Sequence, residues 1–138
     1  MEEDSEFVVQ PSSEAQQEEV HRRLQEYNRP FFKGEKDFSF HVERDGQIVA
    51  GIVAGSTYQT LEVDFLFVDE AFRGQGLGSL LLRTAEERAR AAGICHVLLN
   101  TYSFQAPGFY RKEGYAELFR IDDCLGPHSQ FFFWKDLA

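Results

Sequence analysis

The chain has 138 residues, enough for one domain with a proper core and short of two. Apolar residues make up 43% of it, which excludes a disordered chain, and 14 Phe, 5 Tyr and 1 Trp leave aromatic rings to spare for a cleft. Its 14 basic and 23 acidic residues give a net charge of −9, which without a basic patch excludes nucleic acid and anionic membrane and suits a cationic partner.

In chain order, residues 1–5 are polar and expected to fray. Glu6–Gln10 (EFVVQ) reads as a first strand, stopped by Pro11. Ser13 with Gln16 forms a capping-box pattern, and a helix follows from Glu14 to Asn28, ended by Pro30. Its apolar positions are sparse, so it belongs on the surface. Phe38–Arg44 alternates, Asp45-Gly46 is a hairpin signal, and Gln47–Thr57 and Leu61–Val68 complete a three-strand meander. The period then changes to that of a helix. Leu77, Leu80, Leu81, Thr84, Ala85, Ala89 and Ala92 make one stripe, and Arg83, Glu86, Glu87 and Arg90 are expected to face water. Gly93 stops this helix. Ile94–Asn100 is a buried-type strand, Pro107–Glu113 a short helix ended by Gly114, and Tyr115–Ile121 and Gln130–Lys135 are two last strands. The order β-α-βββ-α-β-α-ββ is mixed α/β, in one domain over 1–138.

No membrane-length apolar run and no signal-peptide layout occur, and Cys95 and Cys124 form no CxxC pair. A reducing cytoplasm is the simplest compartment. The cysteine and histidine spacings hold no metal-site pattern, so no metal is expected. His41, His96 and His128 have no acid or nucleophile beside them in sequence and read as structural.

One stretch carries chemistry: FRGQGLGSLLLR, Phe72–Arg83. A strand ends, a turn follows, and glycines open a helix. Amides at a helix start lack intrahelical partners and carry partial positive charge. Glycines let a phosphate reach them, and Arg73 adds a full charge. The P-loop is excluded because no Gly-Lys-Ser/Thr occurs. The dinucleotide fingerprint is weakened because the spacing is GxGxG and the preceding strands form a meander.

Arg73-Gly74-Gln75-Gly76-Leu77-Gly78 resembles the R/Q-x-x-G-x-G/A signature of the GNAT acetyltransferase superfamily, with Arg73, Gly76 and Gly78 at its fixed positions. Downstream, Ala106-Pro-Gly-Phe-Tyr-Arg-Lys-Glu-Gly-Tyr115 is similar to the family block A-x-x-[FL]-Y-x-K-x-G-[FY]. The element order matches over nearly the whole chain. The resemblance implies a single-domain α/β fold with a mixed, mostly antiparallel sheet and flanking helices. Its central parallel pair, Leu61–Val68 and Ile94–Asn100, is splayed. The resemblance further implies acetyl-CoA as acetyl donor. Its pyrophosphate would sit on the amides of Gly74, Gln75, Gly76, Leu77, Gly78 and Ser79 beside Arg73. Its pantetheine arm would lie on the backbone of Leu66, Phe67 and Val68, with Ala106, Phe109 and Tyr110 also against it. Ser103 stands where many members have an asparagine that contacts the donor.

Acetyl transfer to an amine needs a proton acceptor, an oxyanion donor and a proton for the thiolate. Resemblance implies Tyr110 as the acid, the alternative being a tyrosine that only packs on the donor. Strand alternation puts Glu62, Asp64, Leu66 and Val68 on one face and Val63, Phe65 and Phe67 on the other. Two carboxylates on an apolar strand can take the amine's proton, bind a cationic amine, or simply face water. With Phe31 and Phe32 from the loop after the first helix, Glu62 and Asp64 suit a small cationic amine such as a polyamine, an amino sugar or an aminoglycoside-like compound. A protein N-terminus or lysine is the second reading, and a non-catalytic acyl-CoA-binding module the third. The apolar last strand, QFFFW, either pairs with a second subunit in a homodimer or sits inside the sheet.

Overall fold

The computed structural model describes residues 6–138, so the expected frayed tail at 1–5 lies outside the described residues. The chain divides into two compact units, one ending at Lys33 and one spanning Gly34–Ala138. In the first, residues 6–10 form no strand, contrary to the pattern. Three apolar residues before a proline are too few to fix strand geometry by themselves. The helix α1 runs Glu14–Asn28, as its capping box requires: the Gln16 N–H donates to Ser13 Oγ (3.2 Å), and the Ser13 N–H donates back to Gln16 Oε1 (2.9 Å).

The second unit is a seven-stranded sheet with helices. Its strands are β1 (Lys36–Asp37), β2 (Phe40–Arg44), β3 (Gln47–Thr57), β4 (Thr60–Val68), β5 (His96–Tyr102), β6 (Ala116–Leu125) and β7 (His128–Asp136). The helices are α2 (Leu77–Ala91) and α3 (Pro107–Lys112). The strand order is β1-β3-β4-β5-β7-β6, with β2 also on β3, and every pairing is antiparallel except β4 with β5. The β2–β3 hairpin turns through Asp45 and Gly46 at φ 54° and 78°, the positive values a two-residue turn demands. QFFFW takes the second of its two expected places: β7 lies between β5 and β6. The sheet's edge on that side is β6, exposed along its whole length.

One sheet face packs on α2. Ala50, Ile52, Leu61, Val63, Val97, Leu99 and Phe133 meet Leu81, Leu82, Ala85 and Ala89 in a single core. The helix is rotated from its expected setting. Leu82 and Glu86 are buried while Leu80 is exposed. Sequence polarity placed Glu86 in water, but two donors compensate its burial. The Tyr115 hydroxyl donates to Oε2 (2.6 Å) and Lys135 Nζ donates to Oε1 (3.0 Å).

Strand β4 departs from simple alternation. Val53 faces Phe65 and Ala54 faces Val63, so Asp64 is the extra residue of a β-bulge. Beyond it the faces exchange. Leu61, Val63, Leu66 and Val68 pack toward the core, while Glu62, Asp64, Phe65 and Phe67 are exposed. The expected grouping of Glu62 and Asp64 with Leu66 and Val68 therefore fails, because one inserted residue reverses every side chain after it.

Candidate active site

The bulge sits where β4 and β5 part. Only Thr60, Leu61 and Glu62 pair with β5, opposite His96, Val97 and Leu98. From Val63 onward β4 stays on β3 as far as Val68, and from Leu99 onward β5 stays on β7 as far as Tyr102. Each strand keeps its outer partner while the inner ladder opens. A bulge bends and twists the strand that carries it, which accounts for the split at this point. The backbone of Leu66, Phe67 and Val68 lies along the split, as the resemblance implied, with no ladder across it.

A groove of about 290 Å³ occupies the split, lined by Glu62, Val63, Asp64, Phe65, Leu98, Leu99, Asn100 and Phe132. Beside it is a hollow of about 420 Å³ lined by Glu35, Lys36, Asp37, Gly55, Ser56, Thr57, Glu62 and Asp64. Glu62 and Asp64 thus border both. Among the described residues neither carboxylate has a hydrogen-bond or ion-pair partner.

At the far end of β4 the chain makes a 3₁₀ turn over Glu70–Phe72 and enters α2 through the glycines. Gly74 and Gly76 both have φ 80°, and a Cβ at either would meet nothing within 4 Å. Their requirement is conformational, with open space above the backbone. Gly78 differs: a Cβ there would lie 3.4 Å from Phe109 Cζ of α3. It is glycine for close packing. The first bond of α2 is Leu80 N–H to Gly76 O, and no side chain caps the start. The amides of Leu77, Gly78 and Ser79 are the helix's unpaired donors. Arg73 is fastened beside them, its Nε donating to Val68 O at 3.0 Å.

Tyr110 is buried on α3, with its ring against Phe109, Tyr115 and Phe133. Burial pushes its pKa up to about 12, so the phenol is protonated at neutral pH. Its hydroxyl donates to no group among the described residues. Ala106 starts α3 and, like Phe109, packs against the core.

Residues 4–115 match the acetyltransferase (GNAT) family model. The chain belongs to that family. An acetyltransferase of Agrobacterium fabrum is 33% identical over 127 residues, covering 89% of this chain and 90% of that protein. Blasticidin-S acetyltransferase of Streptomyces morookaense is 44% identical over 79 residues, covering 56% of this chain and 58% of that protein. A solved acetyltransferase of Bacillus cereus superposes with TM-score 0.82 at 32% identity, covering 94% of this chain and 97% of that one. The splayed parallel pair within a mostly antiparallel sheet is the GNAT fold, and the protein is an acyltransferase enzyme.

Other expected residues of this GNAT chain are distributed less simply. Ser103 is engaged with β7: its Oγ accepts from the Ser129 N–H (3.0 Å) and its N–H donates to Ser129 O (2.8 Å). Asn100, not singled out as a site residue from sequence, lines the groove and accepts from Gln130 Nε2. Phe31 and Phe32 belong to the first unit, where both N–H groups donate to Asn28 O. Two histidines have carboxylate partners that sequence did not pair with them. His41 Nε2 lies 2.6 Å from Glu43 Oε2, and His96 Nδ1 lies 2.9 Å from Asp136 Oδ1. Sequence also gave no role to Glu113, whose carboxylate accepts from Ser79 Oγ (2.8 Å) and Arg83 Nε (3.1 Å). The available signal was a lone carboxylate inside the A-x-x-F-Y-x-K-x-G-Y block.

Proposed function

We propose that this acetyltransferase moves an acetyl group from acetyl-CoA to the primary amine of a small cationic molecule. The observation that carries the acceptor class is the pair Glu62 and Asp64, without a partner among the described residues and lining the groove where β4 and β5 separate. Carboxylates held there attract an ammonium group by Coulomb force and can accept its proton.

The donor reading rests on two fits. The gap between β4 and β5 leaves backbone groups unpaired, as a pantetheine arm requires. The helix-start amides at Leu77–Ser79, approached over Gly74 and Gly76, suit a pyrophosphate. A streptothricin acetyltransferase of Bacillus anthracis with this fold (TM-score 0.63, 18% identity, 71% of this chain and 61% of that one) was crystallised with acetyl-CoA. When bound, acetyl-CoA supplies an activated acyl carbon and a thiolate leaving group. Arg73 and the amides from Gly74 to Ser79 hold the diphosphate. The backbone of Leu66, Phe67 and Val68 would hold the arm, and an N–H there could serve the developing oxyanion. Ala106, Phe109 and Ser103 would lie against the donor. Glu62 or Asp64 receives the amine's proton, directly or through water, as the C–N bond forms. Tyr110 gives its phenolic proton to sulfur as the C–S bond breaks.

The test is calorimetry with acetyl-CoA, then thiol release over a panel: blasticidin S, suggested by the relative's name, an aminoglycoside, spermidine, and a peptide with a free N-terminus. Turnover of the small cations ahead of the peptide is expected. Preference for the peptide overturns the acceptor class, binding without any turnover makes the chain an acyl-CoA-binding module, and absence of binding removes the donor assignment.

A further inference from the structure

The helix α3 has only six residues, too few to hold a position by its own hydrogen bonds. What fixes Tyr110 must therefore lie in its contacts. On one side of Tyr110, the Phe109 ring lies over Gly78 in the first turn of α2, so close that a Cβ there would stand 3.4 Å from its Cζ. On the other, Glu113 reaches the same helix. Its side chain is only 7% exposed, and it accepts from Ser79 Oγ, Arg83 Nε and, at 3.4 Å, Arg83 Nη2. From the opposite direction Lys135 Nζ of β7 donates to the Glu113 carbonyl (2.8 Å). The same ammonium bonds Glu86, which in turn takes the Tyr115 hydroxyl.

We propose that Glu113 is a positioning residue for Tyr110, its carboxylate latching α3 to the helix turn that carries the glycine amides. This rests on the reading of Tyr110 as proton donor. The latch makes a specific geometric link. Phe109–Gly78 and Glu113–Ser79 are two attachments of one short helix to one helix start, and Tyr110 lies between them in the chain. Loss of either lets the phenol shift relative to the site that holds the donor. A displacement of that kind slows the chemical step and leaves donor affinity alone. Arg83 is 66% exposed, so its ion pair to Glu113 adds little to overall stability, and the split between kcat and KM separates positioning from a merely structural role.

The experiment measures kcat and KM for acetyl-CoA by thiol release, with whichever panel amine reacts fastest. The enzymes are wild type, Glu113→Gln, Tyr110→Phe and the double variant. Glu113→Gln is expected to lower kcat about tenfold with KM for acetyl-CoA within about twofold. The double variant should be no slower than Tyr110→Phe, because a displaced phenol that is already absent costs nothing further. Multiplying losses overturn the proposal, as does a wild-type kcat in Glu113→Gln or a raised KM with kcat intact. If Tyr110→Phe itself turns over normally, the proton-donor reading falls and takes this one with it. If Tyr110→Phe is slow and Glu113→Gln is fast, only the latch falls. Should Glu113→Gln not fold, Ser79→Ala removes the shortest bond of the latch and takes its place in the same cycle.

Discussion

Along α2 polar groups answer one another: Ser79, Arg83, Glu86, Glu113, Tyr115 and Lys135 are joined by hydrogen bonds. On β4, Glu62 and Asp64 answer to nothing among the described residues. On the proposed donor side these polar groups pair internally, which leaves Arg73 and the helix-start amides to a ligand. On the proposed acceptor side the two carboxylates stay free to meet a cation. A site that binds one common cosubstrate can be built into packing. A site for a variable amine is better left as charge and space, where a partner completes the pairing.

The contrast breaks most visibly at Glu86. Glu86→Ala leaves the Tyr115 hydroxyl and the Lys135 ammonium without their acceptor. The loss expected is about 3 kcal/mol of unfolding free energy, read from denaturant midpoints. A loss under about 0.5 kcal/mol would mean that the donor side is no more built than the acceptor side.

Tyr110→Phe comes next. A positioned general acid contributes about 100-fold or more, so kcat should fall by that order while calorimetric affinity for acetyl-CoA holds. The pH behaviour sharpens this. The folded pKa of about 12 lies above the free value near 10. The stability tied to this phenol is therefore fully present below about pH 10 and is lost as pH rises toward about 12. Over that same range the acid keeps its proton in the folded enzyme, so kcat should show no falling limb near pH 10. A limb there would assign the titration to another group.

These two residues also mark the limits of reading the sequence. Tyr110 was legible because a motif fixes its place between Ala106 and Gly114, and the glycine turn because strand, glycines and helix follow in order. The hairpin at Asp45-Gly46 and the helix over Glu14–Asn28 were legible from local turn and cap chemistry. Glu86 was not. Whether a carboxylate on a helix is buried depends on a phenol 29 residues away and an ammonium 49 residues away, and no local pattern carries that. The β4 faces failed for a related reason. Alternation assumes one partner residue per strand residue, and the bulge at Asp64 is a property of the β3–β4 pair. His96 with Asp136 is the same lesson, a pair made by strand register.

The glycine turn separates two kinds of requirement on the donor side. Gly76→Val places a β-branched residue at φ 80°, at a cost of about 2 kcal/mol, with no neighbour to strike. The helix start is expected to rearrange and acetyl-CoA affinity to fall about 30-fold by calorimetry, with kcat at saturation nearly kept. Gly78→Ala instead presses on Phe109 and should act through α3, on kcat. If both variants change only affinity, the turn and α3 are not mechanically distinct.

The smallest effects belong to the acceptor side, and their pattern matters more than their size. Glu62→Gln and Asp64→Asn remove charges that have no partner to strand among the described residues, so each should change stability by less than about 0.5 kcal/mol. Each should lower kcat/KM for the amine about tenfold while KM for acetyl-CoA stays put, because attraction of an ammonium is lost and the donor site is untouched. Added salt separates binding from proton transfer. If a carboxylate only attracts the amine, the penalty of its removal shrinks as salt screens the wild type. If it also takes the proton, a slow kcat persists at any salt and any amine concentration. The bulge gives Asp64 and Glu62 unequal prospects. Glu62 is the last residue of β4 paired to β5, while Asp64 is the unpaired residue at the opening of the split. The persistent kcat loss is therefore expected at Asp64, and the salt-sensitive one at Glu62. The reverse assignment would mean that the amine enters from the paired end of the groove.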